Sequence, residues 1–419
     1  MGETRFSMTF LALTVTAFIG HGTSHAYESF SDDDAPRSLQ FVDSAAAAQL
    51  AVEQIGDRVA YQVLRQREFP PGYTSDIQLE ALLAWGEASG QPGYLEFVRQ
   101  INRDRKFWPG YTLHSYRLQM FSSLPFEIYE RFRNPEYVEP FLSETRKYQA
   151  EALRAYDGVV SYYFPEWAAS STPGVGITYL DPKLTPILID NAQEYASRLA
   201  KAGALSRDST FFRESADQIE RLRRAFRDPE TGLWNHGRGW YGSAQTTTTT
   251  KWGRAQAWIL RGLLESLSYL PGASREHKQV AAVLSDLAQS LVRYQDSQGF
   301  WHQVVDRPES YQETSSTAFI SYYLARAVRQ GLLPEKPYRL VSAKAFEALT
   351  RDKISVDGVV YGACELTPPL ATVEEYLRRR TPVNDPHGVA AVLFSAAGQL
   401  LVNGRGPVHT IDDMGGLRQ

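Results

Sequence analysis

A chain of 419 residues, 43% hydrophobic and 22% charged, can bury a large core, and its length allows either a few average domains or one large toroid built from repeats. A net charge of -4 and a pI near 6.1 exclude an electrostatic drive toward nucleic acid or an anionic membrane surface. One cysteine, Cys364, excludes an intrachain disulfide and reads as a buried structural thiol.

Residues 1–26 read as an export leader. Arg5 gives a weak positive start, Phe6 to Gly20 form an apolar stretch too short for a stop-transfer helix, and Ser24-His25-Ala26 offers a small-x-small cleavage site. The expectation is cleavage after Ala26 and a periplasmic or extracellular protein. Residues 27–44, acidic and Ser-rich, read as a flexible lead-in, and 45–419 as a single domain.

From Ala45 the pattern is overwhelmingly helical. Apolar residues recur at three-four spacing over Ala45 to Arg67, Asp76 to Ala88, Tyr94 to Asp104, Tyr116 to Phe132, Glu136 to Tyr156 and Leu184 to Ala202. The same spacing continues over Phe211 to Phe226, Trp252 to Leu270, His277 to Gln295, Thr314 to Gln330, Ser342 to Arg351 and Gly388 to Val402. No alternating apolar run is long enough to argue for a sheet, so the fold class is all-α.

A turn motif repeats between these segments. Asp157-Gly158, Thr231-Gly232, Gln298-Gly299 and Asp357-Gly358 each follow a helix-like run and precede an apolar pair, at the period of a helical hairpin plus its loop. A closed ring of such hairpins places the loops on one face. The chemistry is therefore expected after the Gly turns and at the starts of the helices that follow.

Those places hold indoles, imidazoles, carboxylates and one arginine. They include Tyr179 and Asp181 before Pro182, His236, Trp252, Arg254, Trp258, Trp301, His302 and His387. Indole faces stack on the C–H bonds of a pyranose, while imidazole, amide and carboxylate groups take its hydroxyls. A planar guanidinium at Arg254 matches a substrate carboxylate. Each residue also has a structural reading: Asp181 and Asp385 as caps ahead of a proline, Glu313 as a helix-start charge, Trp301 as a core plug, and Trp252 and Trp258 as packing. No His-x-x-x-His or Cys pair suggests a metal, and no glycine-rich phosphate loop is present.

GLWNH from Gly232, WGRAQAW from Trp252, YQDSQGFWHQVVD from Tyr294 and the run from Tyr311 to Leu333 resemble glycoside hydrolase family 105 in the same order. That family comprises the unsaturated rhamnogalacturonyl and related unsaturated glucuronyl hydrolases. RRRTPVNDPHG and GITYLDPKLTPILI extend the resemblance to roughly the last 250 residues of the chain. It implies an (α/α)6 barrel, no metal or organic cofactor, and an oligosaccharide substrate ending in a 4,5-unsaturated uronic acid. It also implies that Asp181 delivers a proton to C4, that water then adds at C5, and that the same carboxylate helps deprotonate that water, serving as both acid and base. Two departures stand out. Ala255 and Ala257 replace glycines of the family's arginine motif, and a second aspartate has no match in the stretch Met120 to Pro125. The residues leave open a non-catalytic oligosaccharide-binding protein, or another sugar enzyme on the same ring such as an epimerase or polysaccharide lyase.

Overall fold

A computed structural model describes residues 52–105, 124–161 and 186–411. The chain divides into two units, Met1–Arg37 and Ser38–Gln419, and every described residue belongs to the second. The expected leader, most of the lead-in, and Tyr179 and Asp181 lie outside the described residues.

The helices come in pairs along the chain. They are α1 (Val52–Leu64) with α2 (Tyr73–Ser89), α3 (Pro92–Asp104) with α4 (Leu124–Phe132), and α5 (Val138–Glu151) with α6 (Ser197–Ser206). Then follow α7 (Ser209–Phe226) with α8 (Gly253–Tyr269), α9 (Arg275–Arg293) with α10 (Thr314–Arg329), and α11 (Glu335–Asp352), a short α12 (Val373–Leu377) and α13 (Pro386–Leu401). The first helix of each pair is amphipathic and the second is buried more fully. Outer helix α9 buries a stripe of Val280, Val283, Leu284, Leu287, Ala288 and Leu291, whereas every residue of α8 and all of α13 but Pro386 are buried. A helix that is wet on no side must be walled by other helices, and the inner ones pack in sequence: α2 on α13, α13 on α10, α10 on α8, α8 on α6.

The repeated Gly turns are the joints of this ring. Gly158, Gly232, Gly299 and Gly358 have φ of 77°, 76°, 108° and 79°, each just after an outer helix. Three of the turns are closed by the same pair of backbone bonds, as in Ser355 N–H to Val359 O and Gly358 N–H to Ser355 O, both 2.9 Å. The turn at Gly232 is closed by a pair one residue wider, Asp228 N–H to Leu233 O and Gly232 N–H to Asp228 O. A side chain at these glycines would strike the next outer helix: Arg221 of α7, Ser290 of α9, Lys344 of α11 and, for Gly358, Arg58 of α1. The last turn thus meets the first helix. Arg58 donates to Val356 O at 2.7 Å and Gln62 to Asp357 O at 2.7 Å, closing the ring between chain segments almost 300 residues apart.

Three expectations need correction. The segment Leu184 to Ala202 is not one helix: it contains a two-residue strand β1 (Ile187–Leu188), a π-helical turn Ala192–Ala196, and only then α6. β1 pairs antiparallel with β2 (Gly237–Arg238), so a small ribbon exists where no sheet was expected. Short runs like these carry no periodicity that a sequence window can detect. Helix α12 was also missed, although Thr372 and Glu375 form a capping box there. Cys364 is buried with a free thiol, as its sequence context suggested.

The inside of the ring is not purely apolar. Arg261 of α8 bonds Glu80 of α2 at 2.6 Å and Glu265 at 2.6 Å, and Lys201 of α6 reaches Glu265 at 2.6 Å. Leaving any one of these buried charges alone would be costly, and each is paired across or along the inner helices α2, α6 and α8. Among the described residues no helix is long and apolar enough to cross a membrane.

Replacing Gly358 by alanine forces an L side chain to φ 79° with its Cβ 2.4 Å from the Arg58 backbone carbon. The expected outcome is a loss of about 1–3 kcal/mol in urea unfolding, while Gly272→Ala, in open space, leaves the midpoint nearly unchanged.

Candidate active site

The starts of the inner helices converge, and the polar groups that stand there are those at Tyr73, Asp190, Arg254, Glu313 and His387. Tyr73 opens α2, Asp190 precedes α6, Arg254 lies in the first turn of α8, Glu313 caps α10, and Asp385 caps α13 with His387 behind it.

Arg254 is the hub of this group. Nη1 donates to Ser315 Oγ at 2.9 Å and to Cys364 O at 2.7 Å, Nη2 donates to Glu365 O at 2.8 Å, and the guanidinium lies 4.7 Å from the Trp252 ring centroid. Glu313 grips the same loop from the other side, accepting Cys364 N–H at 2.8 Å while capping α10 through Ser315 and Ser316 N–H. The helix-start role foreseen for Glu313 is therefore observed, together with this loop contact.

His236 packs against Trp252 with ring centroids 4.4 Å apart, and its Nδ1 meets Tyr376 Oη at 2.8 Å. Tyr376 Oη already accepts Leu370 N–H at 3.0 Å, which leaves the phenolic proton for the imidazole. Burial and the Arg254 charge push the His236 pKa well below its ordinary value. The ring is neutral, with Nδ1 accepting and Nε2–H available as a donor.

His387 has the opposite arrangement. Its Nδ1 lies 2.8 Å from Asp385 Oδ1, and Nε2 is buried with no hydrogen-bond partner. Burial and Arg254 lower its pKa against the pull of Asp385, whose own carboxyl is held below the usual carboxylate range despite its burial, with His387 as its largest stabilising neighbour. Asp385 therefore takes Nδ1–H, and Nε2 presents a lone pair. Asp385 also accepts His387 N–H at 2.9 Å, the capping role its Asp-Pro form suggested. Trp258, one turn along α8 from Arg254, meets Tyr73 edge-on at 6.1 Å, and Tyr73 lies 5.4 Å from the His387 ring.

Arg254, His236, Trp252, Trp258 and His387 thus form one group. Two other candidates lie apart from it. Trp301 is fully buried in the core, its indole N–H donating to Leu291 O of α9 at 2.8 Å. His302 spends both ring nitrogens on its own loop: Nδ1 on Ser310 O, and Nε2 at 3.3 Å from Asp296. Among the described residues no group of three or more His, Cys, Asp or Glu is arranged to hold a metal ion.

The residue that sequence reasoning missed is Asp190. The β1–β2 ribbon sets it beside His236, since Ile189 N–H donates to His236 O at 3.3 Å. Its backbone carbonyl starts the π-helical turn by accepting Gln193 and Glu194 N–H, and its side-chain Oδ1 is sealed from solvent with no partner. Burial raises its pKa to about 7, against the opposing charge of Arg254. The available signal was its position: a carboxylate ending the apolar run Ile187-Leu188-Ile189 just ahead of an inner helix. The earlier half of the chain also holds a buried aspartate, Asp76 in the first turn of α2, ion-paired with Arg105.

The family model for Glycosyl Hydrolase Family 88 matches residues 47–400. The unsaturated rhamnogalacturonyl hydrolase of Bacillus subtilis strain 168 is 26% identical over 179 residues, 42% of this chain and 49% of that protein. The chain thus spans about half the length of that curated relative. A glycoside hydrolase of family 105 from C. acetobutylicum superposes with a TM-score of 0.69 at 19% identity, covering 83% of this chain and 98% of that one. The unsaturated glucuronyl hydrolase of Bacillus sp. GL1 superposes with a TM-score of 0.58 at 14% identity, covering 84% and 96%. These likenesses establish the ring of paired helices as an (α/α)6 barrel.

Asp190 also predicts a pH dependence of stability. Its folded pKa of about 7 lies above the unfolded value, so stability falls as pH rises from about 4 through 7. Asp190→Asn removes that cost. Its thermal midpoint is expected to exceed that of the parent at pH 8, by at most about 4 kcal/mol in stability, with the advantage vanishing near pH 4.

Proposed function

Because the chain belongs to Glycosyl Hydrolase Family 88, we infer that it releases a 4,5-unsaturated uronic acid from the non-reducing end of oligosaccharides left by polysaccharide lyases. The observation that carries this reading is a protonatable carboxyl at Asp190 grouped with a buried guanidinium and two neutral imidazoles at converging helix starts. Helix N-termini favour an anion, as a uronate is.

The substrate ring carries an enol ether. A proton from Asp190 forms the C–H bond at C4, the double-bond electrons supply it, and the ring oxygen shares the cation left at C5. Water adds at C5, the hemiketal opens, and the aglycone leaves with a 5-keto uronate as the other product. One acid near neutral pKa serves this reaction, whereas ordinary glycoside hydrolysis uses two carboxyls flanking the glycosidic bond. His236 Nε2–H is suited to a sugar hydroxyl, and Trp252 and Trp258 to its faces. Arg254, already bonded to two carbonyls and a hydroxyl, contributes its charge as much as its remaining donors.

The test is absorbance of the 4,5-double bond after adding the protein to lyase digests of pectin, rhamnogalacturonan, ulvan and glycosaminoglycans. Loss of absorbance with one of them is expected. A rise on intact polysaccharide would indicate a lyase, and binding without change a sugar-binding protein. Asp190→Asn is expected to lower kcat by about 10²–10⁴-fold. Asp181→Asn is the paired variant: if it alone abolishes turnover, the acid is Asp181.

A further inference from the structure

Resting on that reading, we propose that His387 is the base that takes a proton from the attacking water, so that acid and base are two residues and Asp190 serves as acid only.

The geometry gives His387 the form of an oriented base. Asp385 Oδ1 sits 2.8 Å from Nδ1 and also accepts the His387 backbone N–H at 2.9 Å, so ring and helix start are fixed by one carboxylate. That fixes the tautomer with Nε2 unprotonated. Nε2 is buried and bonded to nothing, although His387 is only 2% exposed. A buried acceptor left unpaired is costly in a merely structural residue. A water held at Nε2 would satisfy it.

The surroundings agree. Tyr73 of α2 stands 5.4 Å from the imidazole, the charges of Arg254 and Asp190 both act on its phenol, and the Arg254 charge acts on His387 and Asp190 alike. The charges acting on His387 are Asp385 from its own helix, Arg254 from α8 and Glu313 at the start of α10. Asn384, just before the capping Asp385, donates to the uncharged amide of Gln62 in α1 at 3.3 Å. Burial and Arg254 outweigh the two carboxylates, and the ring stays neutral and able to accept a proton.

In the cycle, the Asp190 O–H bond breaks as C4–H forms. Water oxygen bonds C5 while one of its protons passes to Nε2, leaving an imidazolium opposite the Asp385 carboxylate. After the hemiketal opens, that proton returns through water to the Asp190 carboxylate, and both groups are reset.

The experiment measures kcat and KM against pH for the full chain, His387→Gln and Asp385→Asn, on a digest the parent turns over, with thermal midpoints to verify folding. The parent is expected to show a bell: an acidic limb below the usual histidine range and an alkaline limb near 7. His387→Gln is expected to lose about 10²-fold or more in kcat, with KM little changed and the acidic limb gone. Asp385→Asn removes the carboxylate that supports the imidazolium, so its acidic limb moves to lower pH. A KM rise without a kcat loss, or an acidic limb intact in His387→Gln, would overturn the proposal. Should His387→Gln not fold, an unmoved limb in Asp385→Asn would do the same. A parent inactive on every digest overturns the functional reading and this proposal together, whereas an active parent with unmoved limbs overturns only the latter.

Discussion

The arrangement depends on one buried cation. The Arg254 guanidinium stays charged at any physiological pH and cannot be left unpaired inside a protein. It resolves this by joining the start of α8 to Ser315 at the start of α10 and to the carbonyls of Cys364 and Glu365 in the last loop. Glu313 holds the same loop by its Cys364 N–H. The pinned loop leads to α12, whose Tyr376 orients His236. The same charge helps keep His236 and His387 neutral and restrains the rise of the Asp190 pKa. A single guanidinium thus sets both the shape of the site and its protonation pattern.

The ring makes that convergence possible. Outer helices α5, α7, α9 and α11 each end in a Gly turn that docks on the next outer helix in the ring and sends the chain inward, so the inner helices that follow begin on the same face. Their N-termini bring positive potential there, and the ion pairs of Arg261, Glu80, Glu265 and Lys201 link α2, α6 and α8 further along the axis. The far end carries its own buried polar group, in which Tyr269 donates to Glu130, and Arg131 and His409 pair with Glu87. The converging helix starts and these ion-paired groups lie at different depths of one barrel.

Much of this was legible in the chain. The helical period marked the pairs because inner and outer helices bury different shares of their surface, and the repeated Asp-Gly, Thr-Gly and Gln-Gly turns marked the joints because only glycine tolerates their backbone. The rule that chemistry follows the turns pointed to Arg254, His236, Trp252, Trp258 and His387, all of which meet at the converging helix starts. Trp301 and His302 obey the same rule in sequence, yet one plugs the core and the other secures its own loop.

What sequence alone determined was the periodicity, the joints and the residue types available to the site, since each is a local property of backbone and side chain. Tertiary structure decided which of those residues share an environment. Asp190 looked like one polar residue in a helical run until the β1–β2 ribbon brought it beside His236, and burial, not identity, gave its carboxyl a pKa near neutrality. A pKa shift is a property of surroundings assembled from distant segments, and no reading of neighbours along the chain contains it.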